Sequence, residues 1–314
     1  MQRTRTLFLG LSLDFLIIGI GAASLLGFLG RVDWTLDLFS HFRVQYLILH
    51  GITLGVAFVM KRRRAIWLAG GFVLFHLWFI VPFYLPKPAI SPPGPVYRLL
   101  SANVLRDNTE FNRVLDLIQT TDPDIILLQE INQRWLDALS LENTYPYAVP
   151  LPRDDHFGYA LYSKFPMLET QKYHLGDGQY FAVVAEIQLA DQTFTFIGTH
   201  PPPPTGQAAA QRRNIQLQKI VAFADNQPGH VMLAGDLNTT SWSPFFAEAF
   251  AGSSLIDSRL GFGIQPTWPM DRPFFFRIPI DHVFTTAGIA ILHRTTGPQI
   301  GSDHLPVILD FAIP

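Results

Sequence analysis

The chain contains no cysteine. Disulfides, thiolate nucleophiles and zinc–cysteine sites are therefore excluded, and the composition fits an oxidising compartment. No internal sequence repeat is visible. Residues 96–314 also lack a basic cluster beyond Arg212-Arg213, with fourteen lysines and arginines against twenty-two aspartates and glutamates. Neutralising phosphates with such cations drives non-specific nucleic-acid affinity, so this part of the chain carries no strong basic nucleic-acid-binding patch. Residues 1–95 show the opposite balance, nine basic against three acidic. Mean hydropathy over the whole chain is positive.

What the chain has in abundance is apolar sequence, concentrated near the start. At 314 residues it fits one medium domain with an appendage. Three apolar runs, at about 7–30, 44–60 and 65–85, are expected to be transmembrane helices spanning a hydrocarbon core of ~30 Å. A signal peptide is the rival reading of the first run, because Arg3 and Arg5 precede it. Two further apolar runs and the want of a small-residue cleavage site count against that. A buried helical hairpin in a soluble protein is the blander alternative. Lys61-Arg62-Arg63-Arg64 separates the second and third runs, and short loops rich in Lys and Arg stay cytoplasmic. The expected topology places the N-terminus in the cytoplasm, with three crossings. Everything after residue 85 then lies outside the cytoplasm. Asp14 sits within the first run, where a carboxylate is costly, and the sequence names no partner for it. Residues 86–95 hold five prolines. Such a linker is extended and semi-rigid, and would hold the following domain just off the membrane.

From residue 96 the pattern alternates strand and helix, then becomes mostly strand. Helices are expected at 112–120, 207–225 and 243–250, and a tight hairpin at Ala190-Asp191. Many strands with few helices point to two sheets packed face to face and flanked by helices. Several β-rich apolar runs stop at a polar side chain: Asn103, Glu130, His200, and the pair Asp236 and Asn238. Asp303 and His304 stand just before another such run. Burying such groups is costly unless they are paired or bind a metal, so strands that end this way deliver polar groups to one shared edge.

Six motifs occur in order: Ser-x-Asn-Val at 101–104, Leu-Gln-Glu at 128–130, Thr-His at 199–200, Gly-Asp-Leu-Asn at 235–238, Ile-Asp-His-Val at 280–283 and Ser-Asp-His-Leu-Pro-Val at 302–307. Together they resemble the endonuclease/exonuclease/phosphatase superfamily over residues 96–314. The membrane region lies outside the match and resembles the leaders of membrane-tethered bacterial members. The resemblance implies an α/β four-layer sandwich, two packed mixed β-sheets flanked by helices. It also implies Mg²⁺-dependent cleavage of phosphate esters, with Mn²⁺ as an alternative ion. Glu130 would be the direct metal ligand, with Asn103 and Asp303 as nearby ligands or supporting groups. In the family the matching Asp236 orients or deprotonates the attacking water, and Asn238 contacts the phosphate. Asp281 would hydrogen-bond His304 and fix its tautomer. His304 would then face the phosphate as a base or a positive donor, and His200 would contact the phosphate or protonate the leaving group. Phosphoryl transfer needs positioning and charge neutralisation more than covalent chemistry, so no serine or cysteine nucleophile is required.

Two further residues are candidates for substrate binding. Tyr162 is balanced between core packing and phosphate contact, and Arg277 between a phosphate contact and a solvated rim. His156 reads as a surface residue of an acidic loop, and His282 should point away from Asp281's side of its strand. The tryptophan-cysteine-aspartate motif typical of inositol 5-phosphatases is missing. The expected function is hydrolysis of a phosphate ester outside the cytoplasm, with nucleic acid or nucleotide and lipid headgroup both open. A catalytically weak phospho-ligand-binding module on the same fold is the alternative.

Overall fold

The computed structural model describes residues 2–86, 94–175 and 179–313. It opens with helices α1 (Gln2–Leu26), α2 (Trp34–Asp37), α3 (Arg43–Val59) and α4 (Arg63–Ile80). Three helical segments, Gly10–Leu29, Trp34–Val59 and Arg63–Phe83, are long and apolar enough to cross a membrane. Asp14 of α1 finds its partner in Arg62, whose Nη2 lies 3.0 Å from Oδ2 at the α3–α4 turn. Gly10 lets that arginine lie against α1, since a Cβ there would stand 1.5 Å from Arg62 Nη1.

The remaining chain forms two six-stranded sheets. In order it runs β1 (Tyr97–Asn103), α5 (Phe111–Thr121), β2 (Ile125–Gln129), α6 (Gln133–Leu139), β3 (Tyr147–Leu151), β4 (Tyr159–Ser163), β5 (Met167–His174) and β6 (Phe181–Leu189). It continues with β7 (Gln192–Gly198), α7 (Gln207–Asp225), β8 (His230–Asp236), α8 (Pro244–Ala249), β9 (Ile256–Asp257), β10 (Asp281–Thr285), β11 (Ala290–Thr296) and β12 (Val307–Ala312). One sheet has the order β11-β12-β1-β2-β4-β3 and the other β5-β6-β7-β8-β10-β9.

Each sheet has a parallel pair at its centre, β1 with β2 and β7 with β8, flanked by antiparallel partners. A helix, α5 or α7, crosses between the members of each pair. The two halves are thus alike in structure although no repeat shows in the sequence. Period-2 alternation sorts the side chains. Leu99, Leu127, Leu161, Phe196, Met232 and Leu309 meet between the sheets. Leu100, Ile126 and Leu128 face outward onto Val114, Leu117 and Ile118 of α5 and Trp135 of α6. Val231 and Leu233 face outward onto Leu217, Ile220 and Val221 of α7. These strands read as continuous apolar runs because both their faces are covered.

The proline-rich linker falls largely on 87–93, outside the described residues. Among the described residues, the sandwich packs directly against the helix ends. Asp37 Oδ2 accepts from Arg213 Nη2 at 2.6 Å, and its Oδ1 accepts from Ser243 Oγ at 2.7 Å. Phe83 O accepts the backbone N–H of Gly261 and of Gly263. Ile80, Phe83, Trp242 and Ile264 close the contact with apolar surface. Burial of apolar area and of a paired charge makes this a packed interface, not a tether.

Candidate active site

The parallel strands run with their C-terminal ends at one edge of the sandwich, and β10 and β12 begin there. Asn103 ends β1, Glu130 follows β2, His200 follows β7 and Asp236 ends β8. Asp281 opens β10 directly opposite Asp236. Backbone turns out of the sheets bring the side chains inward. Glu130 and Asn238 both adopt positive φ, at 64° and 50°. Non-glycine residues rarely hold that conformation, and it clusters at functional sites. Gly235, at φ 142°, is required by close approach: a Cβ there would stand 1.9 Å from Thr199 O. Beneath it, Gln129 joins the sheets by donating from Nε2 to Thr199 O and accepting Asp236 N–H at Oε1.

Asp236 is the hub. Its Oδ1 accepts the backbone N–H of Asn238 at 2.8 Å. Its Oδ2 lies 3.3 Å from His200 Nε2, 3.6 Å from His304 Nε2 and 3.4 Å from Asn103 Nδ2. Asp281 Oδ2 lies 2.9 Å from His304 Nδ1, which fixes the ring and leaves Nε2 facing Asp236. The loop carrying His304 is pinned by Ser302, whose Oγ donates to Asn103 O and accepts His304 N–H. Asp303 accepts from Trp268 Nε1 at 2.9 Å. Asn238 Nδ2 donates to Pro201 O, tying the loop after His200 to the hub.

Electrostatics follow from burial and neighbours. Burial disfavours a charged His304, but Asp281 and Asp236 outweigh it and raise the pKa to about 10. His200 is raised as well, because Asp236 and Glu130 overcome its burial. Burial would raise Asp281, yet the charge on His304 and its hydrogen bond hold it below the usual carboxylate range. Burial likewise opposes ionisation of Glu130, and His200, His156 and Asn103 reverse that and lower its pKa. Both rings thus face Asp236 with the protonated form favoured over that of a free imidazole.

The cleft over these groups measures about 520 Å³ and is lined by Glu130, His200, Asp236, Asn238, Asp303 and His304 among others. His156, read from the sequence as surface, belongs here: its Nδ1 lies 2.6 Å from Glu130 Oε2. Gly158 allows this, because a Cβ there would collide with Ile131 O at 1.9 Å and push the loop away. Phe157, Tyr180, Arg212 and Trp268 also line the cleft and were not singled out as site residues. Two expected contacts do not reach it. Tyr162 faces the α5–α6 layer, 2% exposed, with its ring edge-on to Tyr145. Arg277 turns toward α3, its carbonyl accepting from Gln45 Nε2 and its guanidinium lying over the Phe274 ring. His282 points away from the site as expected, with Nε2 2.9 Å from Thr239 O.

The chain matches the model of the Endonuclease/Exonuclease/phosphatase family over residues 100–304. The chain belongs to that family. Its class is therefore that of the metal-dependent phosphoric ester hydrolases. Among solved structures, D. rerio TDP2 complexed with a single-strand DNA product is 19% identical, with a TM-score of 0.60, covering 69% of this chain and 99% of that one. The endonuclease/exonuclease/phosphatase from Beutenbergia cavernae is 17% identical, with a TM-score of 0.56, covering 70% and 72%. At such identities the likeness shows the fold. No curated protein matches the chain.

The donor set fits a hard divalent cation. Glu130, Asp236 and Asp303 offer oxygens to the cleft, the ligand type that Mg²⁺ takes while keeping several waters, whereas Asn103 turns its Nδ2 to Glu130 and Asp236 and its Oδ1 accepts the Leu105 N–H. Asp236, Asp281 and His304 also lie close enough together to share an ion, but His304 Nδ1 and Asp281 Oδ2 already engage one another. Glu130 also borders the cleft, its Oε1 accepting from Asn103 Nδ2 and its Oε2 lying against His156 Nδ1.

Proposed function

We propose that the protein is a membrane-anchored, outward-facing phosphoesterase that works with Mg²⁺. The observation that carries this reading is the convergence of two raised-pKa histidines on the single carboxylate Asp236, beside Glu130 and Asn103. Glu130 would hold the ion, with Asn103 and Asp303 nearby. A bound Mg²⁺ supplies charge neutralisation at the phosphate oxygens. Asp236 orients a water and accepts its proton as the water oxygen attacks phosphorus. His304, kept cationic by Asp281, stabilises negative charge on the phosphoryl oxygens and, already carrying its proton, does not serve as the proton acceptor. His200 donates a proton to the leaving oxygen as the P–O bond breaks. Asn238, locked by its own backbone bond to Asp236, offers its side chain beside the phosphate.

The outward orientation rests on charge. Lys61-Arg62-Arg63-Arg64 lies at the opposite ends of the helices from the sandwich, and basic loops stay inside. Substituting Glu130→Gln keeps the shape and removes the charge. The Mg²⁺ concentration for half-maximal turnover of bis(p-nitrophenyl) phosphate should rise by about tenfold or more. An unchanged Mg²⁺ titration would remove Glu130 from the ligand set.

A further inference from the structure

Two apolar cavities lie where the helices meet the sandwich. The first, about 590 Å³, is lined by Ile48 of α3, Leu77 and Ile80 of α4, and Trp242, Phe274 and Ile278 of the sandwich. The second, about 380 Å³, is lined by Leu38 and Phe42 from the helical region and by Trp268 and Ile278. Ile278 borders both cavities. Pro203, Thr205, Asn238 and Trp268 border both the second cavity and the catalytic cleft. The two cavities and the cleft therefore adjoin in a row, from the side of α3 and α4 to Asn238, two residues from Asp236, and this row is the path an apolar chain would follow. No lysine or arginine lines the second cavity among the described residues.

The mouth of this path is built for a bilayer surface. Phe274, Phe275 and Phe276 form a 3₁₀ turn and are 68%, 37% and 51% exposed. Gln45 Nε2 grips the carbonyls of Phe275 and Arg277, which holds the turn beside the start of α3. Tyr84 and Leu85, at 61% and 56% exposed, follow the end of α4 on the same side. Aromatic side chains gather where a membrane meets water, so this rim sits at headgroup level.

We infer that the substrate is a membrane amphiphile: a phosphate ester carrying a long hydrocarbon tail. The inference rests on the phosphoesterase reading above and names its substrate class. The tail lies along the path from the Phe274 rim past Ile278, and the phosphate reaches Asp236, His200 and His304. A soluble nucleotide or a nucleic-acid strand would find no use for the apolar path, along which Arg277 of the first cavity is the single arginine or lysine among the described residues. Lipid enters sideways from the leaflet that the sandwich rests on, so the headgroup is presented without leaving the membrane surface.

Two p-nitrophenyl diesters test this: p-nitrophenyl ethyl phosphate and p-nitrophenyl hexadecyl phosphate, both releasing p-nitrophenolate. The full-length protein is assayed with Mg²⁺ at one fixed detergent concentration. The expected kcat/KM is higher for the hexadecyl ester by about tenfold or more, since each methylene buried in the path adds binding. Ile48→Trp fills the first cavity, and Phe274→Glu charges its mouth; both positions are exposed and outside the catalytic cleft. Each variant should bring the hexadecyl value down to that of the ethyl ester, and leave the ethyl ester within about twofold of wild type. Equal turnover of the two esters by wild type, or equal losses on both in the variants, would overturn the lipid assignment and leave the phosphoesterase reading standing. Failure of wild type to hydrolyse either ester would bring down the phosphoesterase reading, and this inference with it.

Discussion

At the scale of single residues, the site is an arrangement of charges around Asp236. The pair Asp281 and His304 carries the clearest consequence. Removing the carboxylate with Asp281→Asn takes away the first of the two charges that raise His304, so its pKa should fall from about 10 toward the ordinary range near ~6.5. Because the cationic ring is the working form, turnover is lost as pH rises through the His304 pKa, and that alkaline limb should move to lower pH. A pH–rate profile measures it, and an unmoved limb would break the assignment. The double variant Asp281→Asn, His304→Ala should be little worse than His304→Ala alone, since residues acting as one unit are strongly non-additive. Stability follows the same signs. The His304 contribution is full below the unfolded pKa and is lost as pH rises through about 10. The Asp281 contribution is present above its unfolded pKa and is lost as pH falls through its lowered folded value. The polar residues of the six motifs were legible because each ends or begins an apolar run. His156 was not, because its contact with Glu130 depends on how the 152–158 loop folds back. Tyr162 stayed open between core packing and phosphate contact because alternation along β4 assigns faces without saying which face meets a helix, and it packs in the α5–α6 layer.

At the scale of elements, the longer helices and the buried strands were readable, and the exposed edge strand β5 was not. α5 and α7 were expected at 112–120 and 207–225 and are found at Phe111–Thr121 and Gln207–Asp225. The hairpin at Ala190-Asp191 joins β6 and β7 with Leu189 paired to Gln192. β5 escaped notice because it is an edge strand whose side chains are mostly exposed, so Glu169-Thr170-Gln171-Lys172 shows no apolar alternation. α6, seven residues long, is too short for a helical period to stand out. The junction of helices and sandwich escaped notice as well, because its central bond joins residues 176 positions apart. There Arg213 links Asp37 to Asn238 O, which it reaches at 3.1 Å. Both side chains of the ion pair are nearly fully buried, and breaking such a pair by removing one partner costs about 3–5 kcal/mol. Asp37→Ala should therefore lower the thermal midpoint of the full-length protein, and turnover should drop as Asn238 loses its support. A variant with an unchanged midpoint would show that the helices and the sandwich are not coupled through this bond.

At the scale of the whole molecule, two alike halves pack face to face with their functional strand ends at one edge, and a bundle of apolar helices stands beside that edge. The four-layer architecture was legible because strand endings, helix spacing and motif order all agreed. The alikeness of the halves was invisible, since it resides in strand order and not in repeated residues. Two loops on opposite sides express the placement: the basic turn at 61–64 and the three exposed phenylalanines at 274–276. An enzyme so placed should act on one side of a membrane only. The most direct measurement uses right-side-out and inside-out membrane vesicles from cells making the full-length protein, given membrane-impermeant bis(p-nitrophenyl) phosphate with Mg²⁺. Hydrolysis is expected in right-side-out vesicles, abolished by external EDTA, restored by added Mg²⁺, and lost with Asp236→Asn. Hydrolysis confined to inside-out vesicles, or persisting in EDTA or in the Asp236→Asn variant, would contradict an outward-facing, metal-dependent phosphoesterase centred on Asp236.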